Sequence, residues 1–236
     1  MDRGIFVALS GAVLQERRLE ALTDNLANVN TAGFKKQKPV FEDAMPNPWS
    51  ARTFARSNGV SIDMSQGMTE KTDRKLDVAI KGDGFFVVNT KNGPRYTRDG
   101  NFAIGVDGTL LTREGYKVQG ESGVIKLTSP DVTIDASGNV QEKGVTIDRL
   151  KLVSFNKPEG LTREAGLFVP SDPAVKETRV SDNTQLEQGY IEVSNVNAVK
   201  AMTTMIEAMR SYETHAKMIQ TMDDMTRKAI EEVGRV

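Results

Sequence analysis

NVNAVKAMTTMIEAMRSYETHAKMI, residues 195–219, decides the kind of fold that this chain adopts. Apolar side chains recur in it at alternating intervals of three and four residues, which places them along one stripe of an α-helix. The stripe contains Met202, Met205, Met209, Tyr212, Ala216 and Ile219. The sequence therefore predicts a long C-terminal helix with a narrow apolar seam, which needs other helices to cover it.

The start of this helix is marked by polar residues. Ser194, Asn195 and Asn197 are all of a type that accepts hydrogen bonds from the free backbone amides of a first helical turn. Six of the ten methionines lie between Met202 and Met225. Because the thioether side chain is flexible and fills irregular gaps, it suits a helix that packs against several different neighbours. The alternative is that methionine is simply a helix-forming core residue here.

The other end of the chain carries a second apolar seam, at heptad spacing. It contains Ile5, Ala8, Ala12, Leu19, Leu22, Leu26 and Val29, with Gln15 as a polar interruption. We expect a helix of about 25 residues. It should end within residues 28–33, where Asn and Gly tolerate the left-handed backbone that terminates helices. The stretch IFVALSGAVL at residues 5–14 belongs to this helix in our interpretation, because Asp2 and the following QERR do not fit a signal peptide.

Between the helices, the pattern changes to short β-type runs separated by turn signals. FFVV at 85–88 is one such run, and the turn signals are Asn92-Gly93, Asp99-Gly100, Asp107-Gly108 and Ser137-Gly138. A turn about every ten residues predicts an all-β module, barrel-like or sandwich-like, without a helix inside it. Residues 35–80 contain three prolines and fit neither pattern, so we expect an extended connector there.

These patterns together predict an α+β fold. N- and C-terminal α-helices form a coiled-coil-like helical layer, and a central all-β domain lies between them in sequence. The expected division is 1–34 for the N-terminal helix, 35–80 for the connector, 81–190 for the β-rich outer domain and 191–236 for the C-terminal helix. A two-helix hairpin covers only part of each seam, so the seams predict stacking of many copies into a helical filament.

Composition argues against several classes of function. The 236 residues carry a formal net charge of −1 and no cysteine. No overall field therefore attracts nucleic acid, and disulfides and thiolate chemistry are excluded. Because no apolar run is long enough to cross a bilayer, we do not expect an integral membrane protein. Lys35, Lys36 and Lys38 form a short basic cluster, which we expect to be solvated rather than to bind phosphate.

No residue pattern points to a catalytic, cofactor or metal site. His215 is the single histidine, and we expect it to be solvated beside the seam rather than part of a triad or metal site. The Asp-Gly turns lack the EF-hand spacing, and KGDGFF at 81–86 lacks the known phosphate-binding patterns. Two alternatives remain beside a structural protein: a secreted β-domain that binds a partner through its loops, and a small hydrolase with a carboxylate pair.

Four motifs of the chain resemble the bacterial flagellar rod and hook proteins. They are NLANVNTAGFKKQ at 25–37, LDVAIKGDGFFVV at 76–88, YTRDGNFAIGVDGTL at 96–110 and EVSNVNAVKAMTTMIEAMRSYETHAKMIQTMDDM at 192–225. They occur in the family's order and span nearly the whole chain. Within the family, the opening MDRGIFVALSGA and the NVNAVKAM followed by DDM most resemble the proximal-rod type, with the distal-rod type as the close alternative.

The resemblance implies a structural protein of the basal-body rod, which spans the periplasm and passes motor torque toward the hook. Its implied partners are other rod subunits and the type III export apparatus, without a cofactor. We expect the assembly interface to contain Ile5, Ala12, Leu19, Leu22, Leu26, Met202, Met205, Met209, Tyr212, Ala216 and Ile219. The family motif maps onto Asn25, Asn28, Asn30, Gly33, Phe34, Asn195 and Asn197, whose implied role is to fix where each helix ends and the connector leaves.

Overall fold

Two long helices flank a β-rich central part in the computed structural model, which describes residues 2–44 and 54–233. Helix α1 spans Asp2–Ala27 and helix α2 spans Ala198–Val233. The predicted α+β class is therefore confirmed. Within the described residues, neither helix is long and apolar enough to span a membrane.

The chain divides into two compact units, which we call the helical unit and the β unit. The helical unit is built from Met1–Ala27, Gln37–Ser61 and Asn197–Val236, and the β unit from Asn28–Lys36 and Ile62–Val196. The chain therefore passes from one unit to the other four times.

The helical unit contains two strands as well as the two helices. Strand β1 spans Gln37–Ala44, strand β2 spans Phe54–Ile62, and the two form a two-stranded sheet. The range 35–80, where we expected an extended connector, therefore contains paired strands. Pro39 is compatible with β1 because both strands of a two-stranded sheet are edges, where a missing backbone donor is tolerated.

The β unit is made of short strands, two of which, β3 (Thr69–Lys71) and β4 (Val78–Lys81), also lie within the range expected as a connector. The others are β5 (Phe85–Thr90), β6 (Gly93–Thr97), β7 (Phe102–Ile104), β8 (Leu110–Thr112), β9 (Lys117–Val118), β10 (Val132–Ile134), β11 (Asn139–Glu142), β12 (Val145–Arg149), β13 (Leu152–Phe155), β14 (Leu161–Glu164), β15 (Leu167–Pro170), β16 (Glu177–Thr178), β17 (Gln185–Gln188) and β18 (Tyr190–Glu192). The largest sheet has the order β14-β15-β6-β5-β9-β8-β7, with β13 paired to β5 and β16. A single turn of 3-10 helix at Pro158–Gly160 lies within this range, where the sequence predicted only strands.

Strand β5 lies between two hydrophobic cores. Phe86 and Val88 belong to one cluster, and Phe85 and Val87 belong to the other. Successive side chains of a strand point to opposite faces, so a strand that is buried on both faces needs a continuous apolar run. FFVV at 85–88 is such a run, and it anchors the β unit.

Three of the four predicted turn signals join antiparallel neighbours, as expected. Asn92-Gly93 joins β5 to β6, Asp107-Gly108 joins β7 to β8, and Ser137-Gly138 joins β10 to β11. The prediction for Asp99-Gly100 is wrong, since β6 and β7 are not paired. Gly100 instead accepts a hydrogen bond from the backbone N of Val78 at 3.0 Å. A Cβ on Gly100 would lie 1.7 Å from the Val78 oxygen, so this close approach requires glycine.

Candidate assembly surface and chain junction

Helices α1 and α2 pack against each other through small residues. A Cβ on Gly4 would lie 2.9 Å from Met222 Cε, and one on Gly11 would lie 2.6 Å from His215 Cε1. From Gly4 to Gly11 the residue number increases by seven, and from Met222 to His215 it decreases by seven. The two helices therefore run antiparallel. The glycines let the two helices approach closely.

His215 occupies a different environment from the solvated one expected for it. Its ring lies against Gly11, the residue is half-buried, and its Nδ1 is buried without a hydrogen-bond partner among the described residues. The absence of a side chain on Gly11 makes the space for the imidazole. His215 therefore belongs to the contact between the helices rather than to the solvated face.

The seam residues expected at the assembly interface are covered unequally within the helical unit. Ala12 is buried, and Ile5, Leu19, Leu22, Leu26, Met205, Ala216 and Ile219 are half-buried, whereas Met202, Met209 and Tyr212 are exposed. On α2 the small residues Ala201 and Ala208 are buried instead. Sequence reasoning missed them, although Ala201, Ala208, His215 and Met222 repeat at intervals of seven residues, which was the available signal.

Helix α2 exposes an apolar stripe near its start. The stripe contains Val199, Met202, Ile206 and Met209, at intervals of three and four residues that place them on one face. Ile206 is 52% exposed and Met209 is 47% exposed. On α1, Phe6, Leu9 and Val13 are likewise exposed. Both helices therefore carry large apolar side chains that the contact between them leaves uncovered.

Asn25, in the last turn of α1, binds the backbone at the start of β1, within the helical unit. Its Nδ2 donates to the Gln37 backbone oxygen at 2.8 Å, and its Oδ1 accepts from the Gln37 backbone nitrogen at 2.7 Å. The amide thus offers a donor and an acceptor side by side, as a neighbouring strand would. Aspartate lacks the donor, so the residue type is chemically specified.

In the β unit, Asn195 joins three distant segments of the chain. Its Oδ1 accepts from the backbone N of Lys36 at 2.7 Å, and its Nδ2 donates to the backbone O of Asp63 at 2.9 Å. The backbone N of Asp63 donates to the Lys36 oxygen at 2.9 Å, which closes the ring of hydrogen bonds. Close to each of these residues, the chain either enters or leaves the β unit. We call this region of the β unit the chain junction.

A buried charge cluster lies within the chain junction. Lys35 Nζ lies 2.5 Å from Glu192 Oε1, and Arg98 Nη1 lies 3.1 Å from Glu192 Oε2. Lys35, Glu192 and Arg98 are 0%, 1% and 4% exposed. Lys35 Nζ also donates to the Ser65 oxygen at 2.8 Å, and the Gly67 backbone N donates to Glu192 Oε1 at 2.8 Å. Burial lowers the pKa of Lys35 and the pKa of Arg98, and the carboxylate of Glu192 opposes both shifts.

The expectation that Lys35 is solvated is therefore wrong. A lysine is almost never fully buried unless it is paired, and its partner Glu192 lies 157 positions away in the sequence. Nothing in the local pattern around Lys35 reveals that partner. Lys36, in contrast, is half-buried and forms an ion pair with Asp63 at 3.1 Å.

Gly33 and Phe34 precede Lys35 in the chain and also belong to the chain junction. Gly33 has φ of +67° and donates its backbone N–H to the Glu192 oxygen at 2.7 Å. A Cβ on Gly33 would lie 2.3 Å from the backbone N of Asp99, so glycine is needed for conformation and for space. Phe34 is buried, with the Arg163 guanidinium 3.8 Å from its ring centroid.

The remaining motif residues act at the helix ends. Asn197 Oδ1 accepts from the Lys200 backbone N at 2.9 Å and so caps the start of α2. Beyond the end of α1, Asn28 accepts through its backbone O from Thr31 N at 3.1 Å and through Oδ1 from Thr31 Oγ1 at 3.3 Å. Asn30 is exposed. Across residues 2–44 and 54–233, no group of three or more acidic, histidine or cysteine side chains could hold a metal ion.

Three protein families match successive parts of the chain. "Flagella basal body rod protein" matches residues 5–35, "Flagellar hook protein FlgE/F/G D1 domain" matches residues 79–142, and "Flagellar basal body rod FlgEFG protein C-terminal" matches residues 187–232. The first match ends at Lys35 and the third contains Glu192 and Asn195, so both include residues of the chain junction. The families therefore coincide with the helices, the strands around β5 and the junction.

Relatives cover the chain from end to end. The flagellar basal-body rod protein FlgF of Caulobacter vibrioides is 32% identical over 247 aligned positions, covering 100% of both chains. FlgF of Rhizobium meliloti is 32% identical over 240 positions, covering 99% of each. FlgG of Buchnera aphidicola from Schizaphis graminum is 32% identical over 262 positions, covering 97% of this chain and 98% of that one. This chain belongs to the flagellar basal-body rod protein family and is a structural component of the bacterial flagellar basal body.

Proposed function

We propose that this chain is a subunit of the proximal rod, of the FlgF type. Its terminal segments, 1–34 and 191–236, form a coiled-coil-like inner layer with those of neighbouring rod subunits, and residues 81–190 form the outer β-rich domain. The rod spans the periplasm and transmits motor torque toward the hook. The chain reaches it through the type III export apparatus and acts without a catalytic or cofactor site.

The exposed apolar stripe on α2 is the observation on which the proposal rests. Val199, Met202, Ile206 and Met209 lie on one face with large apolar side chains in water. Such a contiguous patch is typical of a protein interaction site, and most helix stability in proteins comes from packing of the apolar face. Methionine side chains adapt to neighbours of different shape, which suits a contact made with non-identical rod subunits.

Alignment length favours the FlgF type over the FlgG type. The chain of 236 residues aligns with two FlgF relatives over 247 and 240 positions. The alignments with two FlgG relatives extend over 262 and 264 positions, so they need longer insertions. The identities are similar in both groups, and the distal rod remains the second candidate.

Complementation of a strain that lacks the gene tests the assembly surface. Ile206→Glu places a charge in the stripe, and we expect non-motile cells without complete rods, because an unpaired charge cannot be buried in an interface. Tyr212→Asp should act in the same direction if the predicted seam is also buried in the rod. Glu207→Lys is the matched control, since Glu207 is an exposed neighbour of Ile206 on another face and should leave motility intact. Motile cells with Ile206→Glu would contradict the proposal.

Electron microscopy of basal bodies from the deletion strain separates the two rod types. If the chain belongs to the proximal rod, the remaining rod should stop within its proximal part. A rod of complete proximal length that lacks the distal part would assign the chain to the distal rod instead.

A further inference from the structure

The chain junction brings together two short segments from opposite ends of the sequence. The incoming segment, residues 33–36, follows α1, and the outgoing segment, residues 192–195, precedes α2. We infer that Glu192 and Asn195 form a latch, which holds the incoming segment in place only when the outgoing segment has arrived. This inference concerns the β unit and goes beyond the proposed role of the helices.

Lys35 depends on the latch because of its burial. Its ammonium group is withdrawn from water and is bonded to Glu192 Oε1 and to the Ser65 oxygen. A backbone carbonyl can accept a hydrogen bond, but it does not neutralise the charge. Without the carboxylate, the ammonium group would be a buried, unpaired cation, which is strongly destabilising. Lys35 therefore cannot settle in this position until Glu192 is available.

The backbone of the incoming segment depends on the same residues. The backbone N of Gly33 donates to the backbone oxygen of Glu192, and the backbone N of Lys36 donates to Asn195 Oδ1. In the other direction, the backbone N of Asn195 donates to the Phe34 oxygen at 3.4 Å. Each segment thus satisfies backbone groups of the other, and neither is complete alone.

A third segment is tied to the same two side chains. The backbone N of Gly67 donates to Glu192 Oε1, and Asn195 Nδ2 donates to the oxygens of Asp63 and Ser65. Glu192 also holds Arg98, which follows β6. One carboxylate and one amide therefore join all of these segments of the junction. A chain that is delivered with its N-terminus first cannot close the junction before residue 192 has appeared.

Hydrogen exchange of the full-length chain tests the latch through individual backbone amides. In Glu192→Gln, we expect the amides of Gly33, Lys36 and Gly67 to exchange at least tenfold faster than in the parent chain, while the amides of β5 and β6 keep their rates. Glu187→Gln is the matched control, because Glu187 also loses a charge near the end of the chain but pairs with the exposed Lys81 at 3.3 Å. It should leave the three amides unchanged.

The reciprocal variant distinguishes a latch from a one-sided support. Lys35→Met should speed exchange of the Asn195 backbone amide. In the double variant Lys35→Met/Glu192→Gln, the acceleration of exchange should be smaller than the two single effects combined, since both changes break the same contact. Asn195→Asp, which replaces the donors of the amide by a carboxylate oxygen, gives a second route if Glu192→Gln does not fold. Unchanged exchange at Gly33 and Lys36 in both the Glu192 and Asn195 variants would overturn the inference. An equal acceleration in β5 and β6 would also overturn it, because the residues would then support the whole sheet.

Discussion

The helical unit and the β unit of this chain place their apolar side chains in opposite ways. In the β unit, Phe86 and Val88 are fully buried, and strand β5 has cores on both sides. In the helical unit, Ile206, Met209 and Tyr212 remain exposed. The β unit thus buries most of its large hydrophobic residues in its own cores, whereas both helices of the helical unit leave large apolar side chains exposed. The proposed assembly surface therefore lies on the helical unit, and the β unit supplies its own packing.

The two units should also differ in how they respond to replacement of a glycine. Replacing Gly33 in the β unit should have the largest effect. Gly33→Ala forces a left-handed backbone on alanine and sets a Cβ 2.3 Å from the Asp99 backbone N. We expect a loss of about 3–5 kcal/mol in the free energy of unfolding. In Gly11→Ala the new Cβ meets the end of the His215 side chain, which must shift, while alanine favours the helix by about 0.5–1 kcal/mol. The net change there should be small.

Urea denaturation of both variants measures this difference. Gly166→Ala is a useful third variant, because Gly166 has φ of +83° but no atom within 4 Å of the added Cβ. It reports the backbone strain without the clash. Equal losses for Gly33→Ala and Gly166→Ala would mean that close packing at the junction contributes nothing.

Asn195→Asp tests whether the amide chemistry of the junction stabilises the β unit. The change keeps the shape and the acceptor toward Lys36 N, but it removes the donor and sets a carboxylate against the carbonyl oxygens of Asp63 and Ser65. We expect a loss of about 2–3 kcal/mol at neutral pH. Asn30→Asp, at an exposed motif residue, is the control. A variant as stable as the parent chain would show that the ring of hydrogen bonds is not important for stability.

Replacing Asp99 should stabilise the chain, in contrast to the destabilising changes at Gly33 and Asn195, and the effect should depend on pH. Burial raises the pKa of Asp99 to about 6, from a normal value of 3.8. Because the folded-state pKa lies above the unfolded one, the contribution of Asp99 to stability is complete below about pH 4 and is lost as pH rises through 6. Asp99→Asn should therefore stabilise the chain at pH 7 by about 1–3 kcal/mol and have little effect at pH 4.

Thermal unfolding at several pH values tests this prediction. Asp107→Asn is a control of opposite sign, because hydrogen bonds from Thr109 lower the pKa of Asp107. Its contribution is present above the normal pKa and is lost on acidification. If Asp99→Asn shifts the melting temperature equally at pH 4 and pH 7, the charge of Asp99 is not the cause.

The smallest effect is expected at the tip of the β14–β15 hairpin. Ala165 has φ of +48° and precedes Gly166 in a two-residue turn. Asparagine adopts this left-handed conformation more readily than alanine. Ala165→Asn should raise the free energy of unfolding by about 0.5–1 kcal/mol, measured by urea denaturation. A destabilised variant would show that the alanine methyl group makes a contact that asparagine cannot replace.

Periodic patterns predicted the elements of this fold, because local spacing determines them. The helices, the buried run at 85–88, two Asx-Gly turns and the Ser137-Gly138 turn followed from residue types a few positions apart. Asp99-Gly100 looked like the other turns, but it contacts Val78 in a strand more distant in sequence. The dipeptide alone carries no information about which strand will lie beside it.

Long-range polar partners could not be predicted from the chain alone. Lys35 stands beside Lys36 in a stretch that looks solvated, and its burial depends on Glu192, 157 positions away. The apolar seams were visible, but α1 meets α2 closely at Gly4 and Gly11, and the buried residues of α2 are Ala201 and Ala208. Such small residues carry little hydrophobic signal. Which seam residues contact neighbouring subunits stays a prediction.

The placement of Gly4 and Gly11 has a consequence for how the two helices are aligned. Small residues lie at the start of α1, at Gly4, Ala8 and Gly11, whereas Leu19, Leu22 and Leu26 occupy its later turns. On α2 the order is reversed, because Met222 and His215 lie beside the two glycines, and the small Ala208 and Ala201 are buried nearer the start of that helix. Since the distance between packed helices follows the size of the side chains between them, large residues of one helix fill the space that small residues of the other leave. Sliding one helix along the other would bring Met222 and His215 against side chains instead of glycines, so the size pattern defines the register of the pair.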